Sequence, residues 1–68
     1  MENEIVKRFV RWLDDASAEE IAVARKRAQE AMKLLSTREA KSQVKFALRL
    51  MDQEILARLQ AEMLTRQA

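Results

Sequence analysis

The side chains with the clearest capacity to bind another molecule are four cations in the segment TREAKSQVKFALR, residues 37–49. At about 100° per residue, Arg38, Lys41, Lys45 and Arg49 fall within an arc of about 80° on a helix. Such a stripe could bind the phosphates of a nucleic acid through sequence-tolerant, salt-sensitive contacts. It could also be a solvated face, or a face that acidic side chains of the first helix or of a partner chain neutralise.

A solvated or neutralised face is the favoured interpretation of this stripe. No aromatic row alternates with the cations for base stacking, and the helix is too long for a typical recognition helix. In a partner chain, the acidic region around Asp52, Glu54 and Glu62 would supply the neutralising charge. The charge is nevertheless concentrated, because residues 21–49 carry eight cations and two acids. The nucleic-acid candidates are therefore Lys26, Lys33, Arg38, Lys41, Lys45 and Arg49.

Catalytic and metal chemistry have few side chains to use. The absence of Cys and His removes the thiolate nucleophile and the usual zinc, haem and iron–sulfur ligands. Ser42 and Thr65 have no suitable base nearby. Four carboxylates at the first turn could bind Mg²⁺ weakly, although stabilising helix ends is their favoured role. They are Asp14, Asp15, Glu19 and Glu20. We predict no enzymatic activity and no cofactor or metal.

The elements that position these side chains are predicted to be helices throughout. Gly and Pro, the strongest helix breakers, are absent. The segments SAEE and STRE are typical capping boxes, with Ser17 and Glu20 in the first and Ser36 and Glu39 in the second. We predict one domain over residues 1–68, with helices at about 3–15, 18–35 and 37–66, and Asn3 as a weaker cap of the first. The link at 35–37 could be a turn or a kink.

The spacing of apolar residues predicts an antiparallel helical bundle. Helix 1 has a broad apolar face, and helix 2 has a narrow seam of small residues that permits close packing. Helix 1 also resembles a membrane-surface helix, but core packing is favoured. The predicted core anchors are Phe9, Trp12, Leu13, Ile21, Ala28, Leu35, Val44, Leu48, Met51 and Ile55.

The predicted helix 3 is much longer than helix 2, at about 44 Å against about 27 Å. Several turns of helix 3 would therefore extend beyond a hairpin of the two. Their apolar side chains would form a patch that monomers rarely expose. We therefore predict a homodimer with helix 3 at its interface. The candidate interface residues are Phe46, Leu50, Leu56, Leu59, Met63 and Leu64.

The apolar runs are too short for a transmembrane helix, and the N-terminus lacks the pattern of a signal peptide. We therefore expect a cytoplasmic protein with no membrane partner. The predicted function is that of a small, non-enzymatic interaction or regulatory module that binds another protein through its helix faces, as a homodimer. The alternative is an accessory nucleic-acid-binding protein that uses the basic residues of helices 2 and 3. The sequence does not predict which protein is bound or how the helices are oriented in the dimer.

Overall fold

The computed structural model describes residues 2–67, which form three α-helices without any strand. Helix α1 spans Glu2–Asp15, α2 spans Ala18–Leu34, and α3 spans Arg38–Gln67. The prediction of an all-α chain with a short, a medium and a long helix is confirmed. Because α1 already begins at Glu2, Asn3 lies inside the helix, and its predicted position as the cap is wrong.

Helix α2 begins with a complete capping box. The Ser17 Oγ accepts a hydrogen bond from the Glu20 N–H at 3.1 Å, and the Ser17 N–H donates to Glu20 Oε1 at 2.9 Å. These two bonds satisfy backbone donors that the helix start leaves without partners. The backbone N–H of Ser17, followed by its hydroxyl, also holds the pKa of the Glu20 carboxyl below its ordinary value.

This box makes the stability of the chain depend on pH in a defined direction. Since the pKa of Glu20 is lower in the folded chain, its ionised form stabilises the fold above the ordinary carboxyl pKa, and this contribution is lost as pH falls through the folded-state value. Replacing Glu20 with Gln should therefore destabilise the chain near neutral pH and have little effect near pH ~3. Urea denaturation at both pH values measures the difference. A destabilisation equal at both would contradict the role assigned to the Glu20 charge.

Helix α3 starts one residue later than the STRE motif predicts. Thr37 Oγ1 accepts a hydrogen bond from the Ala40 N–H at 3.2 Å, and the Thr37 carbonyl accepts from the Lys41 N–H at 3.1 Å. Thr37 is therefore the cap, and the predicted box between Ser36 and Glu39 is wrong. With Thr37 as cap, the third helical residue is Ala40, whose methyl group cannot bond back to the cap.

A non-helical link joins α2 to α3. Leu35 has extended backbone angles, with φ −80° and ψ 134°, and its N–H donates to the Ala31 carbonyl. The next helical residue is Arg38. The link at residues 35–37 thus interrupts the helix completely and is a turn, not a kink within one continuous helix.

A small core lies where the three helices meet. Leu13, Ala16, Ile21 and Met51 are its buried side chains. Around them pack partly buried residues from all three helices: Phe9, Trp12, Ala24, Ala28, Ala47, Leu48, Leu50 and Ile55. Most of the predicted anchors belong to this cluster, but Leu35 and Val44 are partly buried outside it.

Two arginine side chains fasten the shorter helices to α3. Arg58 Nη2 donates to the carbonyls of Leu13 at 2.8 Å and Ala16 at 2.7 Å, at the end of α1. Its Nε donates to Glu54 Oε2 at 2.8 Å, which holds the guanidinium in place. Arg25 of α2 pairs with Asp52 of α3 at 2.6 Å. These bonds place the turn between α1 and α2 beside residues 52–58 of α3.

Candidate interaction surfaces

Helix α3 extends well beyond the core. Its 30 residues correspond to about 45 Å, close to the longest dimension of the molecule, 47 Å. The Arg58 side chain makes the last described hydrogen bonds from α3 to another helix. Every described side chain after it, from Leu59 to Arg66, is exposed. We call residues 59–67 the C-terminal extension. Its large apolar side chains are Leu59, Met63 and Leu64, the last of which is 69% exposed.

The size of the exposed surface is unusual for a compact monomer. A folded chain of 7.9 kDa is expected to expose about 4,400 Å². This chain exposes 6090 Å². Its radius of gyration is 13.8 Å, whereas about 11 Å is expected for a compact domain of this length. The surplus of roughly 1,700 Å² exceeds the ~800 Å² that each partner buries in a standard protein–protein interface.

One face of α3 carries no charge between residues 43 and 64. Its positions alternate in steps of three and four, which is the spacing of a coiled-coil seam. We call this face the uncharged row, and it consists of Gln43, Phe46, Leu50, Gln53, Ala57, Gln60 and Leu64. Leu50 is partly buried against the core, so only part of this predicted interface residue is accessible, whereas the other six are exposed.

An apolar groove of about 520 Å³ adjoins the N-terminal half of this row, between α1 and α3. On the α1 side it is lined by Ile5, Val6 and Phe9, and Ile5 is 72% exposed. On the α3 side Phe46 and Ala47 are among the lining residues. Sequence reasoning missed Ile5 and Val6 as surface residues because they match the apolar face of a core-packed helix.

A second apolar face lies on the same side of α3 as the basic stripe. Helical periodicity places Leu56, Leu59 and Met63 in line with Lys45 and Arg49. All three apolar side chains are exposed. The structure thus distributes the predicted interface residues over two faces of α3, with Phe46, Leu50 and Leu64 on the uncharged row and the others beside the basic stripe.

The basic residues predicted as nucleic-acid candidates are exposed on α2 and α3. Among the side chains that the structure describes, none of the six nucleic-acid candidates, Lys26, Lys33, Arg38, Lys41, Lys45 and Arg49, lies in an ion pair. The acids that a partner chain was expected to offer are engaged within their own chain. Asp52 pairs with Arg25, Glu54 with Arg58, and Glu62 more loosely with Arg66 at 4.0 Å. Neutralisation by the described side chains of helix α1 is not observed.

Metal-binding and membrane-spanning features are also absent from the described part of the chain. Residues 2–67 contain no group of three or more carboxylates arranged to bind a metal ion. No helix in this range combines the length and the apolar character needed to cross a bilayer. Comparison of the chain with protein-family models, curated proteins and solved structures finds no match.

Proposed function

We propose that the chain is a small, non-enzymatic interaction module that binds another protein through the faces of α3 and acts as a homodimer. The observation that carries this proposal is the exposed apolar surface of the C-terminal extension, where Leu59, Met63 and Leu64 have no covering element within the described chain. Helices with apolar residues at such spacings commonly bind the grooves or helices of partner proteins. The surplus exposed area is large enough for one such interface.

A protein surface fits this face better than a small ligand does. The uncharged row and the extension form a long ridge, and small-molecule sites are concave and enclosed. Leu and Met side chains adapt to a partner surface without requiring directional bonds. Helix–helix packing would cover the ridge along its whole length.

Self-association tests the proposal directly. A fluorescently labelled chain titrated with unlabelled chain should show saturable binding, by anisotropy, at micromolar or lower concentration. Replacing Leu59 and Leu64 together with Asp, one residue on each apolar face of α3, should weaken this binding at least ~10-fold, because a carboxylate would enter an apolar contact whichever face is used. The matched control replaces two exposed apolar residues of α2, Val23 and Leu34, with Asp and should bind as the unmodified chain does. Equal binding by both double variants would count against α3 as the interface.

Nucleic-acid binding is the second candidate function. It is supported by the six exposed cations of α2 and α3 that have no described ion-pair partner. Arg38 and Lys41 lie in the first turns of α3, where a cation opposes the helix dipole. Stability alone would favour acids at these positions, so phosphate binding would explain the charge. The contacts would be to the phosphate backbone and would be tolerant of sequence.

Salt dependence tests this second candidate. If four phosphates are contacted, raising the salt from ~50 to ~200 mM should weaken binding to duplex DNA or RNA about 150-fold. Replacing Lys41 and Lys45 with Glu should abolish most binding. It should also lower the number of phosphate contacts inferred from the salt dependence by about two. The matched control makes the same charge change on α1, at Lys7 and Arg8, and should bind nearly normally. Binding that survives the change at Lys41 and Lys45 would mean that the stripe is not the site.

A further inference from the structure

We infer that two copies of the chain pair through antiparallel α3 helices along the uncharged row, and that the C-terminal extension of each copy fills the α1–α3 groove of the other. This inference rests on the proposed homodimer and specifies its geometry. The site is incomplete in one copy, because the groove provides Ile5, Val6 and Phe46, and the second copy provides Leu64.

The register follows from the positions along the row. In an antiparallel pair whose two-fold axis passes near residue 55, Phe46 lies opposite the partner's Leu64. In the same register Leu50 faces the partner's Gln60, and Gln53 faces the partner's Ala57. Every residue of the row from 46 to 64 thus meets another residue of the row, as the two sides of a coiled-coil seam do. The small side chain of Ala57 near the axis lets the two helices approach closely.

The positions of the groove and of the extension along α3 agree with this register. The groove residues of α3 lie between Ser42 and Ala47, which is 8 to 13 residues before the axis. Residues 63–67 of the extension lie 8 to 12 residues after it. Both distances correspond to about 12–20 Å along the helix. One copy's extension therefore reaches the other copy's groove without any change in α3.

Charge also favours this pairing. The row contributes no charged side chain between residues 43 and 64, so the contact would bury no unpaired ion. Glu54, which lies close to the axis, already pairs with Arg58 of its own chain at 2.8 Å. The surplus surface of roughly 1,700 Å² per chain exceeds what each partner buries in a standard interface, which leaves enough area for the groove and the row together.

The face with Leu56, Leu59 and Met63 makes a less complete dimer. An antiparallel pairing along that face would place its axis between residues 59 and 60, where Leu56 lies opposite the partner's Met63. Beyond these residues the face becomes charged at Asp52 and Arg49. This pairing would cover about a third of the length of the uncharged row and would leave the α1–α3 groove open.

Cysteine cross-linking distinguishes the two arrangements, since the chain has no native cysteine. Chains with Gln53→Cys are mixed with chains with Ala57→Cys, refolded together and oxidised, and the disulfide products are identified by peptide mass spectrometry. Both positions are exposed, and each substitution should leave the helix content unchanged by circular dichroism. The same protocol is applied to Leu56→Cys mixed with Met63→Cys. Each single variant oxidised alone is the control for non-specific coupling.

The inference expects a 53–57 disulfide between chains as the main product of the first mixture, and none between residues 56 and 63 in the second. In the inferred dimer, residues 56 and 63 are offset by about 14 Å along the axis, and a disulfide needs Cα atoms within about 7 Å. Cross-linking of the second mixture alone would overturn the inferred geometry while leaving the proposed homodimer intact. No cross-linking in either mixture, with a monomeric mass for the unmodified chain, would overturn both.

Discussion

Replacing Leu64 with Asp is expected to raise the dissociation constant of the homodimer at least ~100-fold, equivalent to about 2.8 kcal/mol. Leu64 is 69% exposed in the single chain and lies in the C-terminal extension, so the change should leave the fold of each monomer unaltered. In the inferred dimer the new carboxylate would be buried beside the partner's Phe46 without a charged partner. Desolvation of an unpaired charge is among the largest penalties that a single substitution can impose.

The matched control for this prediction is Leu34→Asp. Leu34 is even more exposed, at 86%, but it is the last residue of α2 and belongs to neither face of α3. Sedimentation velocity over a range of concentrations should show an unchanged dissociation constant for Leu34→Asp and a largely monomeric Leu64→Asp variant. If both variants dimerise as the unmodified chain does, Leu64 does not lie at the interface. If both weaken the dimer equally, the effect comes from added charge and not from the contact.

Replacing Arg58 with Ala is expected to destabilise the chain by about 2 kcal/mol. The guanidinium donates to the Leu13 and Ala16 carbonyls at the end of α1, where the helix leaves acceptors without backbone partners. Hydrogen bonds that involve a charged group each contribute about 1.5–3 kcal/mol, and water can replace part of them at this half-buried site. The substitution also leaves Glu54 without its ion-pair partner, so α1 should detach more readily than α2.

Urea denaturation at one fixed protein concentration measures this loss, because dimerisation makes apparent stability depend on concentration. Circular dichroism reports all helices, and the fluorescence of Trp12 reports α1. The matched control is Arg66→Ala, whose side chain is 82% exposed and whose ion pair with Glu62 spans 4.0 Å. An exposed pair of this kind contributes less than about 1 kcal/mol. Equal stability of the Arg58 and Arg66 variants would show that the bonds to the α1 carbonyls contribute little.

The number and lengths of the helices could be predicted because the relevant signals are local. Without Gly or Pro, only capping motifs can end a helix here, and Ser17 with Glu20 marks one such end clearly. The start of α3 was predicted one residue too early because Ser36 and Thr37 are adjacent and both can cap. The choice between them depends on which hydroxyl reaches the third N–H of the helix, here that of Ala40. A sequence motif alone does not determine that geometry.

Contacts between helices were harder to predict than the helices themselves. From the sequence alone, Arg58 would be predicted to be a solvent-exposed cation. Only the packing of α1 against α3 brings its guanidinium to the Leu13 and Ala16 carbonyls. Ala16 is buried in the turn after α1, where it continues the apolar spacing of Trp12 and Leu13 by four and three residues, although it was not among the predicted core anchors. The α1–α3 groove likewise depends on how Ile5 and Phe46 face each other, which periodicity within one helix does not specify.

The basic residues show the limit of sequence reasoning about charge. From spacing alone, the stripe from Arg38 to Arg49 could be neutralised by helix α1 or by a partner's acids. In the structure, Asp52 pairs with Arg25 of the same chain. No described side chain forms an ion pair with the cations of the stripe. Such ion pairs depend on which helices pack side by side. The spacing of charges within one helix does not predict that packing.

Sedimentation equilibrium of the unmodified chain, from about 1 to about 100 μM, is the most direct test of the account. The homodimer proposed from the exposed surface of α3 predicts that the measured mass rises to twice 7.9 kDa within this range. A mass that stays at 7.9 kDa up to the highest concentration would contradict the homodimer, and with it the inferred pairing of α3 helices.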